Sequence, residues 1–412
     1  MDKEKSLVEQ SVVIVGASHA AAECVTQLRR SGWAGRIVLI GDEDSLPYQR
    51  PPLSKAYFKG EIEPQKLLIK PQETYDKAEC DIRLNTRVSR IDRQKKCVEL
   101  DSGEPVEYTY LVLCTGTRAR KLPVEGAAAE NVFYLRTLTD VDKIRASINS
   151  GQHLLVVGAG YIGLEIAASA IKQGVDVTVL EAQERVLARV TGDHISDFYQ
   201  RIHGEEGVNI RLNVGLDHFE HDSASSRAIL ANGEEIPFDH AIVGIGVLPN
   251  QELASEAGLQ CDNGIVVNEY CQTDDESIYA IGDCCNHPNQ LYQRRLRLES
   301  VPNAVEQAKV TASAICGERR VYDAIPWFWS DQYDVKLQTV GLFQGHDQVV
   351  VRGDLSGRKF SVLYFQKGRL IAIDAINSPA EFMVGKKLVA QQATPDLAQI
   401  GDVEVPIKSF VS

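Results

Sequence analysis

The chain has 412 residues, 44% hydrophobic and 25% charged, enough to bury a large core and to fill about two to three domains. Its 44 basic and 57 acidic side chains leave a net charge of −13, which argues against a nucleic-acid binder, because that function needs a basic footprint. The opening MDKEKSLVEQ is charged and polar, the apolar run after it is too short for a secretory signal core, and no stretch approaches the ~18 apolar residues of a membrane span, so a soluble cytoplasmic protein is expected.

The first apolar strand, 12–15, runs into Gly16 and then a helix from about Ser18 to Arg30, with Ala21, Val25 and Leu28 on its buried face. Strand, glycine and helix outline a dinucleotide-binding loop. That fingerprint has glycine at its first, third and sixth places, for the tight turn, for backbone approach to a pyrophosphate and for close helix–strand packing. Here those places hold Gly16, Ser18 and Ala21. Alanine is small enough for the sixth place. Ser18 crowds the approach to the pyrophosphate, although its hydroxyl is expected to cap the helix. The next strand, 37–40, ends at Gly41-Asp42, which makes Asp42 the candidate to accept from a ribose. A further buried strand, 108–116, ends in a Thr-Gly turn, and TGTRARKLPVEG reads as a crossing into a second domain.

The pattern then repeats. A strand at 154–157 leads into Gly158, Gly160 and Gly163, which fill all three glycine places. The helix after them, from Tyr161 to about Lys172, carries Ile162, Ile166 and Ala170 on one face, and the strand 175–180 ends at Glu181. That acid lies about 20 residues past the glycines, where it would accept hydrogen bonds from a ribose. VGIGVLPN, 243–250, reads as the return crossing, so the second unit is inserted within the first. TDDESIYAIGDCC, 273–285, reads as a strand ending in Gly282-Asp283. After about Val321 the texture turns to strands, with a hairpin turn at Lys367-Gly368 and a closing helix in PAEFMVGKKLVAQQ. The nine cysteines are scattered without a C-x-x-C, and Cys284 and Cys285 are adjacent. Reduced, mostly buried thiols are expected, and no metal site.

Several stretches carry a narrower signal: PYQRPPLSK (47–55), YLRTLTD (134–140), GAGYIGLE (158–165), YAIGDC (279–284), ESVPNAVEQA (299–308) and PWFWSDQY (326–333). On these the chain resembles, over essentially its whole length, the FAD-dependent, NADH-using ferredoxin reductases that serve bacterial cytochromes P450 and ring-hydroxylating dioxygenases. The resemblance implies an α/β fold. Two Rossmann-like dinucleotide-binding domains would be arranged as in glutathione-reductase-like two-dinucleotide flavoproteins, with a C-terminal α+β domain. The boundaries would be 1–117 with 246–321 for FAD, 118–245 for NADH and 322–412 for the C-terminal domain.

The resemblance also implies site residues. FAD contacts would fall at Gly16, Ser18, Ala20, Ala21, Asp42, Arg50, Lys55, Val88, Arg136, Asp283 and Val301. NADH contacts would fall at Gly158, Gly160, Ile162, Gly163, Glu165, Glu181 and Gly246. Catalytic roles would fall to Lys55, paired with Glu165, and to Trp329 near the flavin on the ferredoxin-docking face. Lys55, Arg136 and the tryptophan would otherwise read as surface charges and core. NADH is expected over NADPH, with Arg185 near enough to blunt the discrimination. A [2Fe–2S] ferredoxin is the implied partner of a monomer or weak dimer. Arg294, Arg295, Arg297, Lys309 and Lys408 are the candidate basic docking residues. Hydride from NADH would pass to FAD, and single electrons from there to the iron–sulfur protein.

Other readings of the same fold remain. A disulfide reductase or peroxidase needs a redox cysteine, but the helix after the first loop offers only Cys24 and LPYQRPPLS offers none. An NADH-sensing binding module and a rubredoxin reductase are the further alternatives.

Overall fold

Val12, Val13, Ile14 and Val15 have no polar side, and they form the strand Ser11–Val15 at the centre of a five-stranded parallel sheet covered on both faces. Alternate side chains go opposite ways. Val12 and Ile14 pack with the helices His19–Arg30 and Val301–Ile315, while Val13 and Val15 pack with the three-stranded meander Val88–Asp92, Cys97–Leu100, Pro105–Glu107. The computed structural model describes residues 10–222 and 225–411. Residues 1–9, most of the polar N-terminal stretch read above, lie outside the described residues.

The chain divides into two compact units: Met1–Gln49, Pro64–Arg118 and Leu248–Pro326 in one, Arg50–Glu63, Ala119–Val247 and Trp327–Ser412 in the other. In the first unit the sheet order is Ile278–Ala280, Tyr110–Leu113, Ser11–Val15, Arg36–Ile40, Cys80–Arg83. In the second it is Val132–Tyr134, His240–Val243, His153–Val157, Asp176–Leu180, Asn209–Arg211, again all parallel. Both copies carry an antiparallel meander, in the first between the third and fourth chain-order strands of its sheet and in the second between the fourth and fifth, at Leu216–His221, Ser226–Leu230 and Glu235–Phe238. They differ at one edge. The edge strand beside Tyr110–Leu113 comes last in the first unit's chain order, after the insertion, whereas the matching strand Val132–Tyr134 precedes its own glycine loop.

The second unit also holds an antiparallel five-stranded sheet, ordered Trp327–Gln332, Val335–Gly341, Arg369–Ile376, Lys359–Gln366, Gln348–Asp354. Lys367 and Gly368, at φ of +50° and +74°, make the expected two-residue hairpin turn. The helix Pro379–Ala390 lies on this sheet but does not close the chain, because Leu397–Gly401 and the short helical turn Ile407–Phe410 follow it.

The observed division differs from the three-domain reading in two places. Residues 50–63 belong with the second glycine loop, not the first. The C-terminal sheet belongs to that same unit. Side-chain bonding gives the reason: Ser54 and Lys55 bind Glu165, and Asp374 of the C-terminal sheet accepts from Thr191 as well as, at 2.8 Å, from Tyr364 of its own sheet, whose hydroxyl also accepts from the Gly192 N–H at 3.2 Å. Burial pushes the Asp374 carboxyl up to about 6, and those two hydroxyls oppose the shift.

Candidate functional site

The two glycine loops share one backbone. Gly16 (φ +103°) donates to Ile40 O at 2.8 Å, and Gly158 (φ +105°) to Leu180 O at 2.7 Å. A Cβ on Gly16 would lie 2.2 Å from Cys114 O, and one on Gly158 would lie 2.6 Å from Gly244 O. The first glycine of each loop is therefore demanded by the chain itself, through both φ and contact.

The third place differs. Gly160 begins its helix at φ −77°, with no atom within 4 Å of where a Cβ would stand. Nothing in the fold requires glycine there, so the space beside it suits a ligand that the backbone approaches. Ser18 occupies the matching position, and its side chain makes no capping bond, contrary to the expected cap. The sixth place divides them again. A Cβ on Gly163 would meet Gly158 O at 2.0 Å, whereas Ala21 carries its methyl fully buried. Neither helix has an acidic residue in its first turn, so both N-terminal ends present unopposed N–H groups to an anion.

The acids after the second strands are not equivalent. Glu181 follows Leu180 directly, and its carboxylate accepts from the Ala159 N–H at 2.7 Å and the Gln183 N–H at 2.9 Å. After Ile40 the matching position is Gly41, where a Cβ would stand 2.5 Å from the Ala17 methyl. The first copy has no room for a side chain there, and its acid, Asp42, comes one residue later and is exposed. Arg185 does not face this place. Its guanidinium bonds Thr191 O, Ser196 Oγ and Ala188 O and pairs with Asp193, which corrects the expectation that it would blunt the choice between NADH and NADPH.

The remaining first-unit candidates sit on strand and helix ends. Asp283 is held beside Gly282, whose N–H donates to the buried Gln307 side chain at 2.7 Å. Val301 opens its helix, with Ser300 as the capping residue and Pro302 next. Ala20 is buried beside Gly282. Val88 has its side chain in the hydrophobic core, so only its backbone is available to a ligand.

In the second unit, Arg50 donates to Arg136 O at 2.7 Å. Lys55 Nζ lies 2.6 Å from Glu165 Oε2 and 3.0 Å from Pro51 O. Glu165 is 4% exposed and also accepts from Ser54 Oγ at 2.5 Å and Ser330 Oγ at 2.6 Å. A buried carboxylate persists only when paired and hydrogen-bonded in this way. Among the described residues, the equivalent Glu23 of the first helix holds Gln27 at 2.7 Å and Lys70 at 3.9 Å. Ile162 is half-buried on the helix after the loop, and Gly246 (φ +106°) has the Arg189 guanidinium 3.5 Å from its Cβ position.

Trp329 stands on Trp327–Gln332, where alternation decides what each residue meets. Phe328 and Ser330 face the helix Tyr161–Ile171, with Phe328 4.6 Å from Tyr161 between ring centroids. Trp329 points to the other face and stacks 5.7 Å from Trp327, which in turn meets Phe382 and Lys386. It does not join the Lys55–Glu165 cluster.

All nine cysteines are free thiols, and six of them are buried. Burial drives Cys24, in the first glycine helix, far above the usual thiol range, and pushes Cys271 up to about 12. Among the described residues no group of side chains could hold a metal ion, and no helix is long and apolar enough to cross a membrane.

Two of the five expected docking cations, Arg297 and Lys309, pair with neighbouring acids, and a third, Arg295, keeps its charge while bonding backbone oxygens. The Arg295 guanidinium bonds Val267 O at 2.5 Å as well as Asn286 O. Arg297 bonds Asp283 O at 3.1 Å and Glu299 at 2.7 Å. Lys309 pairs with Glu306 at 2.6 Å. Arg294, Arg295 and Lys408 are exposed.

Residues 10–308 match the family described as pyridine nucleotide-disulphide oxidoreductase, and residues 327–411 match the reductase C-terminal family. The chain belongs to the pyridine nucleotide-disulphide oxidoreductase family. It is an oxidoreductase of the two-dinucleotide flavoprotein fold, whose cofactors are FAD and NAD(H). It is 44% identical to putidaredoxin reductase CamA of Pseudomonas putida over 98% of this chain and 97% of that protein. To the rhodocoxin reductase of Rhodococcus erythropolis it is 42% identical, over 98% and 94%. The crystal structure of the covalent putidaredoxin reductase–putidaredoxin complex superposes with a TM-score of 0.95 at 43% identity, covering 98% of each chain. The loops fit that cofactor pair: two helix N-termini free of acids, a strand-end acid beside each, and an open face at Gly160.

Proposed function

We propose that this enzyme carries electrons from NADH through FAD to a [2Fe–2S] ferredoxin, which in turn feeds a cytochrome P450 or ring-hydroxylating oxygenase in the cytoplasm. The observation that carries the reading is the doubled glycine loop in a chain whose thiols are free and mostly buried. Bound FAD supplies the conversion of one hydride into two single electrons.

The chain's own groups supply the rest. Gly16, Ser18 and the following N–H groups take one pyrophosphate, with Asp42 and Asp283 for its sugar hydroxyls. Gly158, Gly160 and Gly163 take the other, and Glu181 accepts from the adenine-side ribose while repelling a 2′-phosphate. The Lys55 ammonium, fixed by Glu165, sets a positive charge where reduction adds a negative one.

The test is to purify the protein, record its visible spectrum, and follow NADH-driven reduction of a [2Fe–2S] ferredoxin before and after thiol alkylation. A yellow protein that turns over many times per second, with or without free thiols, is expected. A protein that cannot be loaded with FAD, or one that keeps its flavin yet loses activity on alkylation, would contradict the proposal.

A further inference from the structure

Glu165 stands at the end of a chain of buried side chains that the hydride-transfer reading does not use. Ser330 Oγ lies 2.6 Å from Glu165 Oε1, Gln332 Nε2 3.2 Å from Ser330 Oγ, His203 Nε2 2.8 Å from Gln332 Oε1, and Tyr333 OH 2.9 Å from His203 Nδ1. Ser330 and His203 are completely buried and Gln332 is 2% exposed.

Proton counting fixes the direction of every bond in the chain. A carboxylate only accepts, so the single Ser330 proton goes to Glu165. Ser330 must then accept, which only the Gln332 amide nitrogen can satisfy, and the amide orientation is set. Gln332 Oε1 then faces His203 Nε2, which must carry the hydrogen. In the neutral ring Nδ1 is left with a lone pair, and Tyr333 donates to it. Burial lowers the imidazole to about 4, in keeping with a neutral ring.

The far end carries its own sign of constraint. Tyr333 holds φ +57° in the turn between Trp327–Gln332 and Val335–Gly341, a left-handed conformation that a bulky residue seldom takes unless its surroundings require it.

We propose that His203 is a positioning residue for Glu165. Through Gln332 and Ser330 it makes the hydrogens run one way, so that Glu165 Oε1 always meets a donor while Oε2 holds Ser54 and Lys55. The inference rests on the reading that the Lys55–Glu165 pair serves hydride transfer. Without the imidazole donor, Gln332 Oε1 is buried and unsatisfied, and Ser330 has reason to turn its proton from Glu165 to Gln332. The carboxylate then loses one of its fixed donors and Lys55 its fixed partner.

The experiment reads the histidine first. In holoenzyme with ¹⁵N-labelled imidazoles, His203 is assigned by the signal missing from His203→Gln. The expected result is a neutral Nε2–H tautomer at neutral pH, which shifts toward a tautomer mixture in Glu165→Gln, because coupling between the two ends is reciprocal. A neutral Nδ1–H ring, or a ring indifferent to Glu165→Gln, overturns the inference.

Anaerobic mixing with NADH then reads the consequence. His203→Phe should slow flavin reduction about tenfold with the NADH Kd nearly unchanged, and His203→Gln, which restores a donor to Gln332, should recover most of that loss. If Glu165→Gln slows flavin reduction and His203→Phe does not, His203 has no positioning role. If Glu165→Gln itself has no effect, the functional reading of the pair fails, and the tautomer decides the hydrogen-bond chain by itself.

Discussion

Two loops of the molecule, Gly16–Ala21 and Gly158–Gly163, fold alike from different sequences, and each mismatch separates a demand of the fold from a demand of the ligand. Both first glycines are forced by φ and by a carbonyl within 2.6 Å of the missing Cβ. The sixth place is forced in the second loop alone, where Gly163 has Gly158 O at 2.0 Å from its Cβ position and Ala21 has room for its methyl. The third place is forced by the fold at Gly160 not at all. A serine at position 18 therefore leaves the backbone intact and changes only what a ligand meets.

The largest predicted contrast lies one helical turn further on, where the two helices carry acids in matching places. Glu165→Ala leaves the half-buried Lys55 without its carboxylate partner and the buried Ser54 and Ser330 hydroxyls without their acceptor, and should cost about 3–5 kcal/mol. Glu23→Ala removes a looser set of contacts and should cost about 1 kcal/mol. Denaturant titration of both variants measures the gap. Equal losses would mean that the Glu165 cluster is no more structural than its counterpart.

Next in size is the sixth place. Gly163→Ala should destabilise by about 3 kcal/mol because the obstructing atom is backbone oxygen. Ala21→Gly should cost only about 1 kcal/mol of helix propensity. Similar values for the two would show that the second helix can move away from its loop, and the comparison would break there.

Much of this was legible in the sequence, for reasons that differ by residue. The glycine loops could be read because the fingerprint is local, and the spacing of Glu181 followed from it. The Lys55–Glu165 pair came from the resemblance, and the structure brings those two together. Ser330 and Gln332 could not be read, because their partners Glu165 and His203 lie 165 and 129 positions away and nothing in a lone Ser or Gln marks it. Trp329 was placed by type, but strand alternation turns it to the face opposite Ser330. Arg295, Arg297 and Lys309 could be counted as charges in the sequence, but what they bond within the chain could not be read there. Segment 50–63 precedes the second loop by about a hundred residues, so contacts such as those with Arg136, Glu165 and Ser169, and not its place in the sequence, reveal which unit it joins.

A smaller effect separates the two acids. Glu181 is fixed by two backbone donors and Arg185 is turned away, so Glu181→Gln should narrow the kcat/KM preference for NADH over NADPH about tenfold. The exposed Asp42 should not affect that ratio. A preference that follows Asp42→Asn instead would exchange the roles of the two loops.

The division of labour between the loops is tested most directly by Gly160→Asp, whose Cβ meets nothing within 4 Å beyond its own turn of chain and whose carboxylate extends from there. The account predicts a protein that folds, keeps stoichiometric flavin and its full flavin absorbance, and binds NADH at least about tenfold more weakly, because the new charge faces a pyrophosphate. Loss of flavin with NADH affinity intact would contradict it.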